Sequence, residues 1–201
     1  WRWFYKFERI VILMKKEDIE AVYNSKKYKK IDKDFIQTIF ELNKNKPNSV
    51  KATKQMLHEI SGMYFNLNRN EELGNIWRFV CENIDNAKKV LDLGCGYGYL
   101  FFKQDKSLEY TGVDVISNEN ITTDNILSPK KDWKNKKYDI VLLLNIIPAL
   151  ERIEKNSGKK LIEQMKKQSR YIVIGFPNCS ISGKKSLGRY WRDYVNNEIG
   201  K

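Results

Sequence analysis

One nine-residue stretch, Val90-Leu91-Asp92-Leu93-Gly94-Cys95-Gly96-Tyr97-Gly98, limits the folds open to this chain more than any other. Residues with strand character deliver the backbone into a turn in which every second residue is glycine. Glycine lacks a Cβ and tolerates positive φ, so such a turn lets backbone come close to a ligand. The pattern is D-x-G-x-G-x-G with the acid inside the strand end, which differs from the G-x-G-x-x-G spacing of dinucleotide-binding folds.

The texture of the chain around this turn sets the fold class. From Lys89 onward short apolar runs alternate with helical or polar segments: Val90 to Leu93, Tyr110 to Val115, Tyr138 to Leu144 and Tyr171 to Phe176. Their β-branched and aromatic content reads as buried parallel strands, and strands joined by helical connections predict an α/β, doubly wound, Rossmann-like sheet. Residues 15–85 read mostly as helices. Lys33 to Leu42 places Phe35, Ile36, Ile39 and Phe40 on one face. A turn at residues 44–49 follows, with Ser49 expected to cap a helix carrying Val50, Met56, Leu57 and Ile60; Gly62 is expected to end it. A further helix is predicted from about Glu71 to Ile84, with Leu73, Ile76, Trp77 and Val80 as its apolar positions.

Composition narrows the partners. The 201 residues suffice for one sheet-centred domain with a small appendage, and 41% hydrophobic residues can bury a real core. A net charge of +12, from 37 Lys+Arg against 25 Asp+Glu, favours a polyanion, because each neutralised phosphate releases counterions. Three cysteines without a C-x-x-C pair argue against a disulfide framework or a zinc site, and no metal is expected. A reducing, cytoplasmic location fits that cysteine usage. No apolar run approaches the ~20 residues of a membrane span, so no membrane partner is expected. The oligomeric state stays open, with a monomer favoured.

The turn resembles the first motif of class I methyltransferases that use S-adenosyl-L-methionine (SAM). That resemblance implies SAM as cofactor, held by Asp92, Gly94, Cys95 and Gly96. Asp114, with Val115 beside it, ends the second strand, where an acid would accept hydrogen bonds from the cofactor's ribose hydroxyls. Asp124, Asn125 and Ile126 follow the expected third strand, where this fold edges the adenine ring, and Asn145 follows the fourth.

Three further segments narrow the family. Residues 25–31 and 50–64, residues 139–151 (Asp-Ile-Val-Leu-Leu-Leu-Asn-Ile-Ile-Pro-Ala-Leu-Glu), and residues 176–185 (Phe-Pro-Asn-Cys-Ser-Ile-Ser-Gly-Lys-Lys) occur in order across most of the chain. They resemble the helical module, fourth-strand motif and fifth-strand loop of the aminoglycoside-resistance 16S rRNA (guanine-N7) methyltransferases. The chain departs from that family where Cys179 stands in place of the usual arginine before the loop serine. The resemblance implies ribosomal RNA in the small subunit as substrate. It also implies Tyr64 and Arg69 reaching the cofactor from the helical side, and Pro148, Phe176 and Ser180 lining the target-base pocket.

The chemistry agrees with this reading. Guanine N7 carries a free lone pair, so in-line attack on a sulfonium methyl needs no proton removed, and no acid–base catalytic residue is expected; catalysis is positioning. No Ser-His-Asp set is evident, and the one histidine, His58, sits on a predicted helix in a structural or RNA-contacting position. Cys179 lacks the Pro-Cys context of cytosine-C5 methylation, and Asn145-Ile146-Ile147-Pro148 lacks the second proline and aromatic of amino-methylating enzymes. A small-molecule methyltransferase and a non-catalytic RNA-binding protein that keeps the fold remain the alternatives.

Lys26 and Lys27 with Tyr23 and Tyr28, Lys51 and Lys54 three apart on one helix, and Lys184, Lys185, Arg189 and Arg192 after the fifth strand are the expected phosphate contacts. Tyr190 and Trp191 are placed either to stack on an unpaired base or to pack the helix.

The termini carry an oddity. Residues 1–14 are strand-like, while only about two dozen residues follow the fifth strand, too few for a closing antiparallel pair. Residues 7–15 look like the family's last strand moved to the front, so a circularly permuted order is expected, with 1–14 completing the sheet, 15–85 a helical RNA-docking module and 86–201 the SAM-binding catalytic domain. Close termini make permutation tolerable.

Overall fold

The computed structural model describes residues 20, 22 and 28, and then 31–60, 70–96, 107–177 and 186–199. Among the described residues, Glu20 and Val22 are helical, and the helices whose bounds are described ahead of the sheet are α1 (Lys33–Asn43), α2 (Ser49–Ile60) and α3 (Asn70–Asn83). They are followed by β1 (Lys89–Leu93), β2 (Glu109–Asp114), β3 (Thr122–Thr123), β4 (Tyr138–Leu144), α4 (Ile147–Ile153), α5 (Ser157–Lys166), β5 (Ser169–Gly175) and α6 (Gly188–Tyr194).

The five strands form one sheet in the order β3-β2-β1-β4-β5, and every pairing is parallel. A parallel sheet needs both faces covered, and the strand sequences supply apolar residues to both. Val90, Ile140, Leu142 and Leu144 pack with Leu73 and Val80 of α3 on one face. Leu91, Leu93, Val141 and Leu143 pack with Ile147, Leu150, Leu161, Ile162 and Met165 of α4 and α5 on the other. Burying each such side chain contributes about 1.5–3 kcal/mol, which is why β4 tolerates a continuous apolar run rather than an alternating one.

A third cluster lies within the leading helices, where Phe35, Ile36 and Ile39 of α1 meet Leu57 of α2, with Val22, Tyr28, Ile31 and Ile153. The start of α1 is fixed by Asp32, whose Oδ1 accepts from the Phe35 N–H at 3.0 Å. The cap of α2 differs from expectation. Asn48 fills it, with Oδ1 accepting from Lys51 N–H at 3.0 Å and its carbonyl from Ala52 N–H at 2.9 Å, so Ser49 is the first helical residue. Helix α3 and strands β2 and β5 lie within one or two residues of their expected bounds.

The start of α1 meets the chain that leaves β2. Asp32 N–H donates to the Val115 carbonyl at 2.7 Å, Ile31 bridges Ile116 in antiparallel sense, and Lys130 pairs with Asp34 of α1. The closing strand expected at residues 7–15 lies outside the described residues. Among the described residues no helix is long and apolar enough to cross a membrane, and no group of His, Cys, Asp and Glu side chains could hold a metal ion.

Candidate active site at the carboxyl ends of the strands

Strand order dictates where a ligand can sit. From β1 the chain winds outward through β2 and β3, then returns to the other side of β1 as β4 and β5. The order therefore reverses between β1 and β4, and such a switch point opens a crevice outside the carboxyl ends of the strands. The glycine turn lies there.

The turn is built by geometry that only glycine meets cheaply. Gly94 has φ +72° and Gly96 φ +51°. A Cβ on Gly94 would also stand 2.5 Å from Cδ1 of Ile146. The N–H groups of Gly94 and Cys95 donate to the Val113 carbonyl at 2.8 and 3.3 Å, which folds the turn back over the end of β2. Ile146 thus packs under the turn from the β4 side, a contact that sequence reasoning missed because it joins residues some fifty apart.

Asp114 closes the turn from the other side. Its Oδ2 accepts from Gly96 N–H at 2.8 Å and its Oδ1 from Ile116 N–H at 3.0 Å. A carboxylate has about four acceptor positions, so each oxygen keeps capacity for a further donor. Burial pushes the Asp114 pKa above the ordinary carboxylate value, against the pull of the Gly96, Ile116 and Val115 N–H groups. Two ligand hydroxyls would relieve that strain by bonding the charged form.

Asp124 is buried too, yet its oxygens are occupied. Oδ1 accepts from Asn125 N–H at 3.0 Å, Oδ2 from Lys131 N–H at 2.9 Å and from the Trp133 indole at 2.8 Å, and both oxygens share Lys130 N–H at 3.1 Å. Burial raises its pKa, but these donors together hold it below the ordinary value. The acid therefore knots residues 124–133 into a fixed wall, with Asn125 and Ile126 buried at its start. Asn125 Oδ1 accepts from Leu127 N–H at 3.0 Å.

Beneath the turn, Asp92 is 2% exposed and accepts from the Tyr110 hydroxyl at 2.9 Å. Cys95 is buried, and burial, then Asp92 and Asp114, push its thiol well above the ordinary range. It therefore stays neutral and is no nucleophile.

The β4–β5 half of the edge has a different chemistry. Asn145 adopts φ +62° at the end of β4 and donates its N–H to Gly175 of β5 at 2.8 Å. Pro148 stands in the first turn of α4. Phe176 stacks on Trp191 of α6 at 4.9 Å and 15°, and the exposed ring of Tyr190 meets Trp191 edge-on at 4.7 Å. Tyr194 hydroxyl donates to Glu151 Oε1 at 3.0 Å and so ties α6 to α4. Of the two aromatics offered for stacking, Trp191 is spent on packing and Tyr190 faces solvent beside exposed Arg189 and Arg192.

One edge thus brings together Asp92, Gly94, Cys95, Gly96, Asp114, Val115, Asp124, Asn125, Ile126, Asn145, Pro148 and Phe176. Lys51 and Lys54 lie on α2, which packs with α1 in the cluster that also takes in Val115. His58 is half-buried on the same helix beside buried Leu57. Lys26, Lys27, Tyr64, Arg69, Ser180, Lys184 and Lys185 lie outside the described residues, as does Cys179. Trp133, Tyr110 and Ile146 are the site's unforeseen members.

In its fold the chain is similar, over nine-tenths of its length, to solved rRNA methyltransferases. RmtF, solved in complex with S-adenosyl-L-homocysteine, matches with a TM-score of 0.75 at 16% identity, covering 91% of this chain and 88% of that one. The 16S rRNA methylase RmtB matches with a TM-score of 0.67 at 15% identity, covering 91% and 88%. An rRNA methylase from Escherichia coli matches with a TM-score of 0.65 at 14% identity, covering 92% and 90%. At such identities the likeness is one of fold, carried by a divergent sequence. No family model and no curated protein matches the chain.

Proposed function

We propose that this protein is a SAM-dependent methyltransferase acting on small-subunit (16S) ribosomal RNA, with guanine N7 as acceptor. The observation that carries the reading is the pairing of a buried acid, Asp114, with the Gly94–Gly96 turn at the switch point of a parallel sheet. The donor set fits SAM. Asp114 has spare acceptor capacity for the two ribose hydroxyls, Asn125 and Ile126 form the adenine wall that Asp124 braces, and Asp92 supplies negative charge for the cationic amino-acid end. On this reading the subsites run from adenine to ribose to methionyl group along the edge, in the strand order β3-β2-β1. When bound, SAM supplies an electrophilic methyl group on sulfonium. The chain's own part is to bind, orient and exclude water, because an N7 acceptor has no proton to lose.

RNA is favoured by the +12 charge and by α6, which offers Arg189, Tyr190 and Arg192 on an exposed face tied to α4 and β5. Arginine can neutralise phosphate, and an exposed tyrosine can stack an unpaired base. The helical segment 15–85, with Lys26, Lys27, Lys51 and Lys54, docks the same substrate, and Tyr64 and Arg69 close on the cofactor. Pro148, Phe176, Ser180, Lys184 and Lys185 line the base side. The permuted closing strand, residues 7–15, belongs to this proposal; half-buried Ile172, Val173 and Ile174 on the outer strand β5 support it.

The test is incubation of small ribosomal subunits with methyl-labelled SAM, followed by mapping of the modified nucleotide. Label at N7 of one guanine is expected. Stabilisation by S-adenosylhomocysteine without any label in RNA would favour the non-catalytic alternative, and label in small molecules only would overturn the RNA substrate.

A further inference from the structure

The half-buried tyrosine beneath the glycine turn has no part in the binding scheme above. Tyr110 lies on β2 opposite Val90, while Asp92 lies opposite Gly112. All four side-chain positions belong to one face of the sheet, so Tyr110 and Asp92 are diagonal neighbours. A diagonal contact of this kind requires the ring to lean along its own strand across position 112. Glycine provides the space: a Cβ there would stand 3.1 Å from Cε1 of Tyr110 and 3.0 Å from Sγ of Cys95. The ring therefore crosses the empty slot, and its hydroxyl reaches Asp92 Oδ2 at 2.9 Å.

This arrangement costs something. A phenol is brought beside a carboxylate and a thiol, and burial, then Asp92 and Cys95, push its pKa far above the ordinary phenol value. The hydroxyl stays protonated and donates to Asp92, with the Cys95 thiol as a second neighbour. Simple packing of this face would need a leucine or valine at position 110 and no glycine at 112.

We propose that Tyr110 is a positioning residue for the methyl donor: its hydroxyl, in the slot left by Gly112, fixes the Asp92 carboxylate so that its charge serves the donor's amino-acid end. The inference rests on the SAM reading given above. It predicts that Tyr110 matters to ligands that carry the methionyl ammonium and not to those that lack it.

Calorimetric titration with two ligands separates this role from a structural one. S-adenosylhomocysteine carries the amino-acid end; 5′-methylthioadenosine keeps the adenosine and thioether but lacks it. Tyr110→Phe is expected to weaken S-adenosylhomocysteine about tenfold, the worth of one hydrogen bond to a charged group, and to leave methylthioadenosine within about twofold. Gly112→Ala, which displaces the ring without removing the hydroxyl, is expected to give the same split between ligands. In an Asp92→Asn background Tyr110→Phe is expected to add less than about twofold, because the two side chains act as one unit. Equal weakening of both ligands, or unchanged S-adenosylhomocysteine binding, overturns the inference while the donor reading stands. Wild-type protein that binds neither ligand overturns both.

Discussion

The ends of β2 and β3 each carry a buried aspartate, and the two acids are handled in opposite ways. Asp114 accepts from the N–H groups of Gly96 and Ile116, with the Val115 N–H also drawn to it, and its pKa is raised. Asp124 receives three backbone N–H groups and an indole, and its pKa is lowered. The first is an acceptor left incomplete by its own fold, which is the condition of a ligand-binding group. The second is completed by its fold and acts as the knot of a loop. Burial alone does not separate these roles, since both acids are below 10% exposed. The Trp133 indole, a side-chain donor that Asp124 has in addition to its backbone N–H groups, does.

That contrast can be broken most forcefully at Asp124. Asp124→Ala leaves the buried Trp133 indole and Asn125 N–H without their acceptor, frees the Lys130 and Lys131 N–H groups, and is expected to cost about 3 kcal/mol, a fall in Tm of roughly 6–12 °C at this chain length. Thermal unfolding without ligand measures it. Should the midpoint hold while donor affinity alone collapses, Asp124 is a ligand group and the distinction fails. Next in size is Asp114→Asn, expected to weaken S-adenosylhomocysteine about tenfold or more with a smaller change in Tm, read by calorimetry and melting side by side.

The smallest effect is in pH, and its sign follows from the two shifts. A lowered pKa means that Asp124 contributes stability present above the ordinary carboxylate value and lost as pH falls through its depressed value. A raised pKa means that Asp114 favours the folded state below the ordinary value and loses that contribution as pH rises through its elevated one. Donor hydroxyls favour the charged form of Asp114, so S-adenosylhomocysteine affinity is expected to rise with pH through that elevated value, by about threefold or so. Asp114→Asn should flatten the profile. A profile that survives that substitution assigns the titration to another group.

Much of this was legible in the chain itself. Strand β4 is legible at its full extent because Tyr138 leads into five consecutive apolar residues, Ile140 to Leu144, whose one economical fate in a small α/β domain is a strand covered on both sides. The turn and Asp114 were legible because glycine spacing and an acid at a strand end are local facts. The cap of α2 went to Asn48 instead of Ser49, since both are good caps in adjacent positions and only the helical register chooses between them. Tyr110 passed for an ordinary strand aromatic. The signal that distinguishes it, a glycine two residues on, means little until the register sets that glycine opposite Asp92.

The parallel sheet, the glycine turn after its first strand, the acid that ends the second and the acid that follows the third are each written in a few contiguous residues under local steric and hydrophobic rules. Tertiary structure alone decided which acid keeps room for a ligand, that Ile146 supports Gly94, and that a tyrosine lies under the turn. Those outcomes depend on donors and side chains supplied from distant parts of the chain, and the number of hydrogen bonds an oxygen receives is fixed only when the strands take their places beside one another.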